Sequence, residues 1–172
     1  MPPLGPKMLN TANRALFWVP SIANIKAPTV AEITAGINLT CRVTAANYVF
    51  GITGNATIND PGLCEKIEAS APGLATVGAE MDFFRFKNTP DDIAWTTFDG
   101  KEIFGYLVQR IGQIADDEDQ ETEPVKATDV LQVAAVLTHD QQILSPATAG
   151  YEKFKQVFSP QAYEQRAVVA GP

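Results

Sequence analysis

The stretch APTVAEITAGINLTC, residues 27–41, contains a complete local fold, with a loop, a capped helix and a strand. Thr29 is placed to cap the helix, and Glu32 follows it three residues later, which is the spacing of a capping box. Gly36 is expected to end the helix in a left-handed C-cap. Residues 37–41 then alternate between apolar and polar side chains, which predicts a half-buried strand directly after the helix.

Strands dominate the rest of the chain. Alternating or apolar segments predict them at residues 15–19, 39–58, 74–87, 101–114, 125–138 and 151–158. Gly51 and Gly54 are expected to introduce bulges or a turn. A second helix is predicted from Thr89, as its N-cap, through Phe98, with Gly100 as its end. Because helices do not alternate regularly with strands, the pattern favours a mainly β fold, an antiparallel β-sandwich or barrel with a flanking α-helix.

The segment from residue 74 to residue 87 has two unlike faces. One face is apolar and comprises Val77, Ala79, Met81 and Phe83, and the other is small, polar or acidic and comprises Thr76, Gly78, Glu80 and Asp82. Arg85 and Lys87 continue the row opposite to that of the two acids. The contrast predicts one side that faces the core and one that faces water.

The length of 172 residues predicts a single domain with short terminal extensions. Residues 1–13 are proline-rich and are predicted to be an N-terminal arm, residues 14–159 the β domain, and residues 160–172 a C-terminal tail. No apolar run approaches the roughly 20 residues that cross a bilayer as a helix. The sequence therefore predicts no membrane insertion.

Charge is concentrated in a predicted acidic loop at residues 115–124. The net charge is −7, and the run at residues 116–123 carries six acids and no base, so the remainder is close to −1. We expect a solvated, mobile loop and no basic surface for holding nucleic acid. Cys41 and Cys64 could pair, but the absence of a secretory signal favours two buried thiols in a reducing cytosol.

The sequence offers little catalytic chemistry. The single histidine, His139, stands beside Asp140 without a recognisable nucleophile motif, and phosphate-binding loops and zinc-ligand clusters are absent from the sequence. Glu80 and Asp82 could form the carboxylate pair of a small hydrolase, but any polar strand face offers such a pair. We therefore predict no catalytic residues, no metal and no cofactor, and keep a small carboxylate hydrolase as the enzymatic alternative.

Several segments together resemble a known family. FWVPSIANIKAP, APTVAEITAGINLTC, ATVGAEMDFFRF, KEIFGYLVQRIG and YEKFKQVFS occur in an order that resembles the major tail proteins, or tail tube proteins, of long-tailed, non-contractile bacteriophages. The resemblance implies a virion structural protein that forms stacked hexameric rings, each subunit giving strands to a continuous inner β-barrel. The genome would leave through the resulting tube.

The resemblance also implies partners and a location. The partners would be further copies of the chain, the tape measure and other tail proteins, with genomic DNA passing through without specific binding. The protein would reside in the virion tail and, during assembly, in the host cytoplasm. The alternatives are a head decoration protein, a tail-completion protein and the tube protein of a secretion system, which would share a small, β-rich chain.

Candidate site residues follow from the same resemblance. The polar row Thr76, Gly78, Glu80 and Asp82 would face the lumen, where acids would keep DNA from adhering. Arg85, Lys87 and Trp18 are candidates for contacts between subunits or rings. The arm at residues 1–13 and the loop at residues 55–72 are candidates for contacts between rings.

Overall fold

A computed structural model describes residues 7–64, 66–67, 70–115, 118–144 and 150–171. The described residues form eight strands, which are β1 (Arg14–Val19), β2 (Ile37–Asn38), β3 (Val49–Asn59), β4 (Ser70–Phe84), β5 (Phe104–Ile111), β6 (Val130–Thr138), β7 (Gln142–Ile143) and β8 (Lys153–Val168). Two short helices, α1 (Val30–Thr34) and α2 (Ile93–Thr97), accompany them. The strands follow the order β2-β1-β5-β6-β8-β4-β3 with antiparallel pairing, and β7 lies beside β8.

Strand β8 joins the two layers of the fold. Its first part, residues 153–157, pairs with β4, and its second part, residues 158–168, pairs with β6. The first layer therefore contains β1, β2, β5, β6 and the second part of β8, and the second layer contains β3, β4, β7 and the first part of β8. The prediction of a mainly β, antiparallel sandwich is confirmed.

The predicted end of the last strand near residue 158 is wrong, because residues 160–168 continue β8 and do not form a separate tail. Pro160 lies opposite Val136, next to a shift in register between β6 and β8. An irregularity of this kind tolerates a residue that has no N–H to donate. Pro160, at which the predicted C-terminal tail begins, is therefore accommodated inside a strand.

An aromatic core fills the space between the layers. Trp18 from β1 lies edge-on to Phe98, with ring centroids 5.1 Å apart, and Phe83 stacks on Phe154 at 5.4 Å. Ala94 of α2 is buried in the same cluster, so that α2 packs against the core between the two layers. Gly105 is required here because a Cβ at this position would overlap the Trp18 ring.

The outer face of the first layer is covered by a second apolar cluster. Phe17 and Val19 of β1 pack there with Ile33 of α1, Val125 and Val169. The first layer is thus buried on both faces. For β6 the sequence predicts one inward set, Leu131, Val133, Ala135 and Leu137, whereas Ala134 and Val136 on the other face are buried as well.

The capping box that begins α1 is confirmed. Thr29 Oγ1 accepts a hydrogen bond from the Glu32 N–H at 3.2 Å, and Glu32 Oε2 accepts one from the Thr29 N–H at 2.7 Å. Gly36 does not adopt the predicted left-handed conformation. It is needed for another reason, since a Cβ there would lie 2.6 Å from the Trp18 carbonyl oxygen.

Two further local predictions are wrong. The strand expected over residues 37–41 is limited to β2, because the chain turns into a 3-10 helix at Thr40–Arg42. The second helix begins with Asp92 as its N-cap, three residues later than predicted. Residues 88–91 form a turn instead, in which the Asn88 carbonyl accepts hydrogen bonds from the N–H groups of Asp91 and Asp92.

Both cysteines are free and exposed, so the prediction of two buried thiols is wrong. Cys41 lies in the 3-10 helix, outside the alternation that would have placed it in a strand. Cys64 lies in the connection between β3 and β4. Neither position is covered by the sandwich, because both belong to segments outside its strands.

Candidate assembly surfaces

The second layer has one face in the aromatic core and another that carries small and polar side chains. On this polar face, a Cβ on Gly78 would lie 2.9 Å from methyl groups of Val49 and Thr53. The glycine therefore leaves no side chain projecting between these two residues. Both helices bury their side chains elsewhere, Ile33 of α1 on the first layer and Ala94 of α2 in the core between the layers. Neither helix therefore covers the polar face, on which Thr76, Gly78 and Glu80 are exposed or partly exposed.

Glu80 lies on this polar face and is paired within its own subunit. Its Oε2 is 3.0 Å from Lys155 Nζ on the neighbouring strand β8, and both side chains are partly exposed. A cross-strand ion pair of this kind adds little stability, but it neutralises both charges locally. The polar face is consequently closer to neutral than the sequence pattern of acids suggests.

Asp82 does not share the exposure of Glu80. It is 4% exposed, and its Oδ2 accepts a hydrogen bond from Asn47 Nδ2 at 2.9 Å. The Asp82 carbonyl also accepts a hydrogen bond from the Thr44 N–H. The expectation that Asp82 presents a free carboxylate beside Glu80 is wrong, because the loop at residues 44–47 folds over it.

The edge of the second layer is open. Among the described residues, β3 has β4 on one side and no strand on the other over its 11 residues. A groove of about 690 Å³ separates β3 from residues 10–14 and 40–44 at the edge of the first layer. A long strand with unpaired backbone groups is a template for pairing with another chain.

The outer part of the β3–β4 hairpin projects from the sandwich as an arm, defined here as residues 52–59 and 70–76. Its strands pair with each other, with irregularities near Gly54 and Asn55, and β4 meets β8 only from Glu80 onward. The arm and the turn beyond it expose large apolar side chains, which are Ile52, Ile58, Leu63, Ile67 and Leu74. An isolated two-stranded ribbon is at best marginally stable in water, so this arm gains from being packed against something else.

The described part of the acidic loop is anchored by a buried cation. Arg110 is fully buried, and its guanidinium donates hydrogen bonds to the carbonyl oxygens of Glu123 at 2.8 Å and Pro124 at 3.0 Å and to Gln120 Oε1 at 3.0 Å. Asp129 provides a carboxylate 3.6 Å away. The prediction of a mobile loop is therefore wrong for residues 118–124, and residues 116–117 lie outside the described residues.

The acidic loop also contacts Cys41. The Cys41 thiol donates to Glu121 Oε2 at 2.9 Å, and Asn38 donates to the Glu121 carbonyl oxygen at 2.8 Å. The hydrogen bond to Glu121, together with partial burial and the charge of that carboxylate, raises the pKa of the Cys41 thiol to about 11. This contact between residues far apart in sequence had no signal in the sequence pattern.

The residues predicted to make subunit contacts differ in their positions. Trp18 is 3% exposed and lies in the core, so the prediction that it contacts another subunit is wrong. Arg85 is used within the subunit, with its Nε 2.8 Å from Asp92 Oδ2 and its guanidinium 3.7 Å from the centre of the Trp95 ring. Lys87 is exposed. Residues 1–6 of the predicted N-terminal arm lie outside the described residues.

The single histidine lies beside a hydroxyl group that the sequence pattern did not point to. His139 Nε2 is 2.6 Å from Ser159 Oγ, at an exposed position on the sandwich. Activation of a serine also requires an orienting third group and donors for the oxyanion. Among the described residues, no group forms a hydrogen bond with His139 Nδ1 that would orient the ring for this role.

This antiparallel β-sandwich has an open edge strand, a polar face that the helices do not cover and a projecting hairpin. These are surfaces that contacts with other subunits would pair or bury, as in a protein that functions as part of an assembly. A family profile described as "Phage tail tube protein" matches residues 1–172, the whole chain. The chain belongs to the phage tail tube protein family, and it is a structural protein of the virion tail that assembles with itself and with other tail proteins. No curated protein sequence matches the chain.

Two further observations concern membranes and metals. Within the part of the chain that the structure describes, neither helix is long or apolar enough to span a bilayer. Over the same residues, no cluster of three or more His, Cys, Asp or Glu side chains could hold a metal ion.

Proposed function

We propose that this protein forms hexameric rings that stack into the tail tube, and that the tube conducts the genome to the host cell. The observation that carries the proposal is the second layer of the sandwich, with its uncovered polar face and its open edge at β3. Closure of a ring removes open edges, since β3 of one subunit would lie beside the β7–β8 edge of the next.

The lumen would be lined by the polar face of the second layer. Thr76, Gly78 and Glu80 belong to this lining, together with the neighbouring Val49 and Thr53. The pairing of Glu80 with Lys155 favours a wall of small net charge, to which DNA phosphates would be neither attracted nor strongly repelled. Asp82 serves the subunit itself, by holding the loop at residues 44–47.

The proposal includes partners that lie outside the chain. The tape measure and other tail proteins would contact the tube during assembly in the host cytoplasm, and DNA would pass without specific binding. The arm and the turn at its end support the expectation that residues 55–72 take part in contacts between rings, because they expose apolar side chains away from the sandwich.

Negative-stain electron microscopy of the purified protein, over a range of concentrations near neutral pH, tests this proposal. We expect hollow rings and tubes with sixfold class averages and a central channel. Uniform small particles at every concentration would contradict self-assembly and would favour a decoration protein that binds only to capsids.

A further inference from the structure

The groove beside β3 opens into the aromatic core of its own subunit. It is the cavity of about 690 Å³ between β3 and the edge of the first layer. Leu16, a buried member of the core cluster, lies at its floor, and Val43, Tyr48 and Phe50 line it while packing against the same cluster. Ile52 also lines the groove and is 46% exposed. The apolar interior is therefore open at this edge of the single subunit.

An exposed isoleucine lies at the opposite edge of the second layer. Over the described residues, β7 has β8 on one side and no strand on the other. Ile143 of β7 is 76% exposed, although it lies opposite Phe154, a buried residue of the aromatic core. Residues that lie opposite each other in paired strands project to the same face of a sheet. Ile143 therefore belongs to the core face of the second layer but is left largely uncovered by its own subunit.

The residues of β3 that line the groove belong to the same face of the sheet. Phe50 lies opposite Ala79, which is part of the aromatic core, and Ile52 lies opposite Val77 on the same row. In a closed barrel, each face of the sheet continues from one strand to the next. If β3 of one subunit lies beside β7 of the next, as in the proposed ring, Ile143 of that neighbour enters the groove.

Ile143 is too far away to fill the groove of its own subunit. The strands β3, β4, β8 and β7 are adjacent in this order, so the two edges are separated by three strand spacings. At about 4.8 Å per spacing, this is on the order of 14 Å. A contact between the two edges is therefore a contact between two copies. Because it joins different patches of each copy, it is heterologous and can close into a ring.

We propose that Ile143 of one subunit fills the groove beside β3 of a second copy of this chain in the same ring, and that it completes the aromatic core of that copy. Its side chain packs against Phe50 and Ile52 and closes the opening in front of Leu16. This inference rests on the proposed ring, and it names the side chain that each subunit contributes to its neighbour.

Substitutions at Ile143 test the contact. Ile143→Ser should raise the protein concentration needed for ring formation roughly tenfold or more, because the apolar burial is lost. Ile143→Val keeps most of the apolar surface and should assemble nearly as the parent does. Val168→Ser, at an exposed apolar position elsewhere, is the matched control and should have no effect. Sedimentation velocity measures assembly, and thermal unfolding of the unassembled subunit should be the same for all three variants.

Disulfide formation tests which face of the sheet is involved. In a Cys41→Ser, Cys64→Ser background, Ile143→Cys combined with Phe50→Cys or with Ile52→Cys should give, on oxidation, a ladder of linked chains up to the hexamer. A disulfide requires Cα atoms within about 7 Å, which the two edges of one subunit do not meet. The ladder would therefore report bonds between subunits.

The polar face provides the matched control. Val49 lies opposite Glu80 on that face, and Thr53 borders Gly78 there. Ile143→Cys combined with Val49→Cys or with Thr53→Cys should give no ladder. Gln142→Cys combined with the same two substitutions should give one, because Gln142 lies opposite Lys155, the partner of Glu80. A ladder from Ile143→Cys with the polar-face cysteines and none with the core-face cysteines would overturn the inference.

The remaining outcomes separate this inference from the proposed function. If the parent forms rings, normal assembly of Ile143→Ser would overturn the inference and leave the ring intact. If the parent forms no rings, the proposed function fails, and absence of the disulfide ladder would overturn the contact as well. A chain without residues 1–6 tests the other occupant of the groove and should assemble as the parent does. Loss of assembly in that chain, with none in Ile143→Ser, would assign the groove to the N-terminal arm instead.

Discussion

Arg110 holds the backbone of the described part of the acidic loop in place. Its buried guanidinium satisfies carbonyl groups of Glu123 and Pro124 rather than the loop's carboxylates. The acidic side chains are left on the surface, while the backbone beneath them is held in place. A loop that is acidic in sequence is therefore rigid at its base because of one buried cation.

Replacing Arg110 with methionine should lower the free energy of unfolding by about 3–5 kcal/mol, because Asp129 and several carbonyl groups lose their partner. Urea denaturation measures the loss, and limited proteolysis should show earlier cleavage near residues 118–124. Arg166→Met is the control, since Arg166 is exposed, and it should change stability little. Equal effects of the two substitutions would contradict the anchoring role.

The capping box of α1 is a second effect at the residue scale. Thr29→Ala should cost about 1 kcal/mol of stability, because the Glu32 N–H loses its acceptor. Thermal unfolding measures this, with Thr34→Ala, an exposed position at the end of the same helix, as the control.

Glu32 should also make the stability depend on pH. Hydrogen bonds from the Thr29 and Ala23 N–H groups lower the pKa of the Glu32 carboxyl below its ordinary value of 4.5. Its contribution is therefore fully present above pH 4.5 and is lost as the pH falls through the lower folded pKa. Glu32→Gln should reduce the loss of stability on acidification, and an unchanged acid limb of the stability curve would contradict this prediction.

Cys41 is predicted to react slowly as long as its thiol donates a hydrogen bond to the Glu121 carboxylate, because this contact keeps the thiol protonated. In a Cys64→Ser background, Glu121→Gln should speed alkylation of Cys41 severalfold at pH 8, because removing the charge lowers the pKa of the thiol. Mass spectrometry of iodoacetamide labelling over time measures the rate. Glu123→Gln, a neutralisation in the same loop, should leave the rate close to that of the parent.

At the scale of elements, the hairpin and the sandwich differ in the interactions that stabilise them. The arm is exposed, whereas the sandwich has an aromatic core and a second apolar cluster. The sandwich therefore folds on its own interactions, whereas in the proposed assembly the arm would be packed by another subunit.

Replacing residues 56–74 with a two-residue Asn-Gly turn, which closes on the paired residues Asn55 and Ala75, should separate these two properties. The shortened hairpin should leave the cooperative thermal transition of the subunit within a few degrees of the original, because few buried contacts are lost. Tube formation, followed by light scattering and electron microscopy, should be abolished. Tubes of normal length from the shortened chain would contradict the role of the arm and its turn.

At the scale of the whole molecule, the two layers of the sandwich differ in the surfaces that they leave available to other subunits. Its first layer is buried on both faces, and its second layer offers a polar face and an open edge. In the proposed tube, this asymmetry would give a polar inside and an outside covered by loops and α1.

A lysine on the polar face should turn a neutral lumen into one that retains DNA. Tubes of Thr76→Lys, assembled with short duplex DNA, should co-sediment DNA that is protected from nuclease and is released by salt. Ala31→Lys, on the exposed side of α1, makes the same charge change on the proposed outer wall, and any DNA it binds should be nuclease-sensitive. Nuclease-sensitive DNA on Thr76→Lys tubes would place this row outside the lumen.

Several features of this protein follow from the sequence by itself. The capping box of Thr29 and Glu32, the strand β1, the two unlike faces of β4 and the mainly β class all follow from local hydrogen-bonding geometry and from side-chain periodicity. These properties are set by neighbours within a few residues, and they could be predicted without knowing where the rest of the chain lies. The resemblance to tail tube proteins also depended on such patterned segments.

Only the tertiary structure decided the rest. Periodicity could not show that β6 is buried on both faces, that Asp82 is covered by the loop at residues 44–47, or that Arg110 holds a loop more than ten residues away. Nor could it reveal that β8 passes from one layer to the other through Pro160. Each of these depends on contacts between segments distant in sequence, and local pattern carries no information about which segments meet.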